Sequence, residues 1–174
     1  MRAMQKTRRS WALAAGALLL AVPLSSCGFD KATEREYTPA AGANNRDASV
    51  DVLGAAIVSA EEGSGTFIAT FVNNDVAEDA TVEAMTPGVE TAQIPDFSPI
   101  TVAPGGLVNL GAEGEEGVAV EGEFGAGASV PITFQLSGGQ VLEMTVPVVA
   151  NCEEFEGLDG TGGECEVAEP VGEH

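Results

Sequence analysis

The sequence predicts an all-β fold, a sandwich of about seven to nine short strands. Three observations carry this. Apolar and polar residues alternate with a period of two in run after run from Ser49 onward. Gly, Pro, Asn and Asp punctuate those runs at turn-like spacing. No stretch of the same region keeps the 3.6-residue apolar period of an amphipathic helix.

The elements follow in chain order. Val50 and Val52 alternate with Asp51, and the run continues through Ile57 and Val58 to the turn Gly63-Ser64-Gly65. Phe67, Ile68, Phe71 and Val72 mark an apolar strand that ends at Asn73-Asn74-Asp75. Residues 81–85 form the next strand, stopped by Pro87-Gly88. Residues 99–102 lead into Pro104-Gly105-Gly106, followed by 107–110. Residues 111–129, rich in Gly and Glu, read as loop around one short strand at 117–120. The last two strands are the clearest. Val130, Ile132, Phe134 and Leu136 face one way; Leu142, Met144, Val146 and Val148 answer across the turn Ser137-Gly138-Gly139, which makes a hairpin. Pro131 and Pro147 lack an N–H, so their strands are expected at edges, or those positions outside the ladder.

Ahead of this domain, residues 1–27 read as a lipoprotein signal peptide. Arg2, Lys6, Arg8 and Arg9 precede the apolar run from Trp11, which is too short for a spanning helix of roughly 20 residues. The run exits at Leu24-Ser25-Ser26-Cys27, which resembles the lipobox of bacterial lipoproteins and implies lipidation of Cys27. Arg8-Arg9 resembles a twin-arginine export signal only loosely, so the general secretion route is expected. Residues 28–48 keep no apolar period and read as a flexible tether. The domain is expected over 49–150, and 151–174 as an acidic, mobile tail.

Charge narrows the partners. All 27 Asp and Glu residues lie beyond residue 27, against three positives, Lys31, Arg35 and Arg46. Such a surface repels nucleic-acid phosphates and anionic lipid headgroups, so no nucleic-acid partner is expected. With Cys27 carrying lipid, Cys152 and Cys165 remain, an even pair expected to form a disulfide in an oxidising compartment. The competing reading is a metal thiolate pair, but the spacing, without a nearby His, does not resemble a zinc knuckle.

Residues 65–149 resemble the periplasmic copper(I) chaperone family PCu(A)C, found as lipoproteins in actinobacteria. The residues that carry the resemblance are the apolar strand meeting the Asn turn at 67–75, the segment Ile100-Thr101-Val102-Ala103-Pro104-Gly105-Gly106, and the hairpin from Val130-Pro131-Ile132-Thr133-Phe134 through Val146-Pro147-Val148. The resemblance implies a cupredoxin-like sandwich, immunoglobulin-like in its layering. It does not bring the family's His and Met ligands. By spacing to Gly122, one ligand pair falls on Gly117 and Ala119, and the interval 86–100 contains neither His nor Met. Met85 and Met144 read as packing, and His174, the single histidine, as a solvated tail residue. These three are the remaining candidates for a relocated copper(I) site; no metal or other cofactor is expected.

Enzyme chemistry finds no support. The acid pairs Glu61-Glu62, Glu115-Glu116 and Glu153-Glu154 are adjacent in sequence rather than set across a cleft, and no internal His is present to serve a nucleophile. Residues 159–164 suggest a calcium loop superficially, but lack its alternating oxygen ligands. The sequence therefore reads as a non-enzymatic binding or accessory module on the outer face of a bacterial cytoplasmic membrane, attached through Cys27 and acting on a protein partner. The alternative is a copper or other cation carrier with relocated ligands.

Overall fold

The computed structural model describes residues 41–163 and 165. The signal, Cys27, most of the tether and His174 lie outside the described residues. Ten strands are present: β1 (Ala43–Asn45), β2 (Val50–Ser59), β3 (Ser64–Asn73), β4 (Ala80–Pro87), β5 (Ala92–Gln93), β6 (Ile100–Val102), β7 (Leu107–Asn109), β8 (Val118–Gly122), β9 (Ser129–Leu136) and β10 (Gln140–Ala150). The all-β expectation holds, and no α-helix occurs among the described residues.

One sheet runs β5-β8-β3-β2, with β1 added to β2 and β7 to β3; the other runs β10-β9-β4-β6. β10 joins them. It pairs antiparallel with β9 from Gln140 to Pro147, then pairs parallel with β2 from Val148 to Ala150. Pro147 stands at this crossing, one residue before β2 takes over, where a missing N–H breaks no ladder. Pro131 meets the second of the two expectations, a position outside the ladder, and not the first, an edge strand. β9 is an interior strand between β10 and β4. The Pro131 carbonyl accepts from Gly88 N–H at 2.8 Å, and its nitrogen, on the same side, lies past the last β4 pair, Pro87 with Ile132.

The core forms between the sheets. Phe67 and Phe71 of β3 meet Phe134 of β9 at ring-centroid distances of 5.8 Å and 6.0 Å, and all three are fully buried. Val50, Val52, Ile57, Val82, Val102, Val120, Ile132, Leu136 and Val146 close around them. In β2 the inward positions change from Val50 and Val52 to Ala55 and Ile57. A bulge between Leu53 and Ala56 inserts the extra residue, and Gly54, at φ 61°, takes the conformation a side chain resists.

Three segments differ from the sequence expectation. β1 lies within the stretch read as tether; Ala43 pairs with Ala55 and Asn45 with Val52, filling the place beside β2 that β10 has left. β5 gives a short strand to the interval after β4, paired with Gly122 and Glu121. Residues 151–163, read as mobile tail, fold back onto the outer face of β2 and β3. There Phe155 and Leu158 pack against Ala56, Val58, Ile68 and Val149. This second cluster explains why β2 is buried on both faces after its bulge.

Candidate functional site

Two of the three motifs that drew the family resemblance, the Asn turn and the Pro-Gly-Gly turn, meet in one corner. Asn73 N–H donates to the Gly106 carbonyl at 3.0 Å, and Gly105 N–H donates to the Asp75 carbonyl at 2.7 Å. The Asn73 amide is buried and donates to the Glu78, Val102 and Ala103 carbonyls at 2.8–3.3 Å, while its oxygen accepts from Asp75 N–H at 2.9 Å. The buried Asn73 side chain and the backbone of both turns therefore serve to fix β3 to β6 across the sheets. Beside this corner Arg46 donates to Asp51 at 3.0 Å, and Asn74 donates to the other Asp51 oxygen at 2.7 Å. Arg46 is the single Lys or Arg among the described residues.

The positions assigned by spacing to the family's ligand pair lie at the opposite end of β3. Ala119 of β8 is exposed and pairs with Thr66. Gly117 has no room for a side chain: a Cβ there would collide with the Thr66 methyl and stand 2.7 Å from the Phe67 carbonyl oxygen. Met85 is 4% exposed within the core, and Met144 is half-buried against the same core. Among the described residues no three His, Cys, Asp or Glu side chains come together as a metal-holding group.

The C-terminal lobe is the best-built polar arrangement on this face. Cys152 and Cys165 are disulfide-bonded, with Cα atoms 4.9 Å apart. Asn151 is buried; its amide donates to the Gly163 carbonyl at 3.1 Å and its oxygen accepts from Gly157 N–H at 2.9 Å. Asp159, 5% exposed, accepts from Ala60 N–H at 2.8 Å and from the Thr66 hydroxyl at 3.0 Å. It accepts also from the Thr161 N–H and hydroxyl at 3.0 Å and 2.8 Å. Gly160 N–H in turn donates to the Thr66 hydroxyl at 2.8 Å. Asp159, the head of the stretch that suggested a calcium loop, thus serves as the key that seats the lobe on β3. The sequence offered no signal for this role except an acid followed by Gly and Thr; its partners Ala60 and Thr66 lie more than ninety residues away.

Between the lobe and the loop before β8 runs an open groove of about 680 Å³. Glu113, Glu115 and Glu116 line one side, Leu158 and Thr161 the other, with Thr66, Leu110 and Ala119 beneath. The acid pairs Glu61-Glu62, Glu115-Glu116 and Glu153-Glu154 are all exposed, as solvated surface carboxylates are.

This curled sandwich has the fold of PCuAC domains. The copper-bound PCuAC domain from PmoF2 superposes with a TM-score of 0.51 over 62% of this chain and 98% of its own, at 12% identity. The apo PmoF2 PCuAC domain gives 0.50 over 64% and 98%, at 11% identity. No family model and no curated protein matches the sequence. The likeness establishes the fold alone.

Proposed function

We propose that this chain is a binding or accessory module, lipid-anchored through Cys27 on the outer face of a bacterial cytoplasmic membrane, that uses a PCuAC-type scaffold without the copper site of that family. The observation that carries the reading is the packing at Gly117. The spacing that aligns β8 with the family puts a ligand there, and in this chain the Thr66 side chain and Phe67 carbonyl occupy the space a ligand side chain would need. The inward-facing methionines and the absence of a metal-holding group among the described residues support it. A scaffold that retains its core while its ligands are replaced works through its surface. The acidic groove and the nearly cation-free described surface favour an extracytoplasmic protein partner over nucleic acid or bare anionic lipid. Enzymatic activity forms no part of the proposal.

Two measurements test it. The oxidised full-length protein is titrated with copper(I) against a chromogenic chelator; no stoichiometric binding is expected, and one tightly held copper lost on changing Met85, Met144 or His174 would establish the carrier function instead. Cys27→Ala should release the protein into the medium, and continued membrane retention would defeat the lipid anchor.

A further inference from the structure

Cys152 and Cys165 are the two sulfur donors that the fold brings side by side, and the loop between them is also held by contacts that do not involve sulfur. Asn151, adjacent to the first cysteine, binds Gly163, two residues before the second. Asp159 fixes the middle of the loop to Ala60 and Thr66, and Phe155 and Leu158 anchor it on Ala56, Val58 and Ile68. These contacts seat the loop as far as Gly163 without the sulfur–sulfur bond, and Cys165 follows only two residues later, so opening the bond keeps the second thiol tethered within short reach of the first. The pair is also within reach of solution, since Cys165 is exposed and Cys152 half-buried.

We propose that the reduced pair is a soft-cation site, taking one monovalent d10 ion such as copper(I) between two thiolates. An external dithiol reductant supplies two electrons and two protons to the disulfide and itself closes to a disulfide. The cation then displaces both thiol protons and is held by two sulfurs. Two thiolates suit a two-coordinate soft ion. Tetrahedral zinc would require two further nitrogen, oxygen or sulfur ligands, and among the described residues no three His, Cys, Asp or Glu side chains come together to supply such a set. The exposed residues Glu153, Glu154 and Glu156 follow Cys152 directly in the chain and add to the negative potential that draws cations in. The site is separate from the β8 positions assigned by family spacing, and partner binding neither requires nor forbids it.

The test uses the full-length chain carrying Cys27→Ala, which leaves two thiols. The protein is reduced with a phosphine, freed of it without air, and titrated with copper(I) against a chromogenic chelator, while amide exchange is followed at Ala60 and Gly160. One copper per chain, an ultraviolet thiolate-to-copper band, at least hundredfold weaker binding by the oxidised protein and by Cys165→Ser, and slow exchange at both amides after reduction are expected. Met85→Leu with Met144→Leu should leave the affinity unchanged. Reduced protein that binds no better than oxidised protein, or binding that survives Cys165→Ser, overturns the site. Loss of amide protection on reduction overturns the preformed geometry on which it rests. Binding that survives Cys165→Ser and disappears with the methionine changes overturns both this site and the ligand-free scaffold.

Discussion

Asp159 shows how one buried side chain decides the fate of a segment. Its carboxylate takes four hydrogen bonds, two of them from Ala60 and Thr66 on the β2–β3 hairpin. Asp159→Ala removes the acceptor of both the Ala60 N–H and the Thr66 O–H under the lobe. The expected cost is about 1–3 kcal/mol, read by urea denaturation, with faster amide exchange at Ala60. Gly117 makes the opposite point, since its value lies in the absence of a side chain. Gly117→His should destabilise by about 1–3 kcal/mol through overpacking against Thr66 and Phe67, whereas Ala119→Met, at an exposed position, should stay within about 0.5 kcal/mol. A Gly117→His protein as stable as the parent would show that the ligand position is open after all.

Element by element, strand β2 carries the least obvious information. Its alternation is regular at Val50 and Val52 and resumes out of phase at Ala55 and Ile57, because the Gly54 bulge adds one residue. Asn44 accepts the Gly54 N–H at 2.9 Å, so β1 is latched to the bulge itself. Gly54→Val forces a β-branched side chain to φ 61°. It should cost about 1–3 kcal/mol, and chemical shifts should show β1 detaching while β9 and β10 hold. β10 illustrates a different device. A single strand serves both sheets, and its proline sits where hydrogen bonding passes from β9 to β2.

Across the whole molecule, three phenylalanines from two sheets form the centre, and Phe134 touches both of the others. Phe134→Ala should cost about 3–5 kcal/mol in a single cooperative transition; two separate transitions would mean that the sheets fold independently. Charge acts at the same scale. The described residues hold one Arg and no Lys against a surface crowded with carboxylates, so the folded state works against its own repulsion. Added salt shortens the screening distance to about 8 Å at physiological strength. The thermal midpoint should therefore rise from low to moderate sodium chloride, and a midpoint indifferent to salt would assign the charge no energetic role.

Local signals in the chain were enough for the fold class, the positions of most strands and the closing hairpin: a two-residue period, turn residues at fixed offsets, and composition. The remaining features needed the three-dimensional arrangement. That β1 belongs to the sheet, that Pro131 lies inside it, and that residues 151–163 are seated depends on pairings between positions far apart in the chain. Asn151 and Asp159 look like ordinary polar residues of an acidic, Gly-rich segment. Their roles become visible only when Thr66 and Ala60 are brought to within hydrogen-bonding distance of Asp159, because a buried carboxylate is held by its partners and not by its neighbours in sequence.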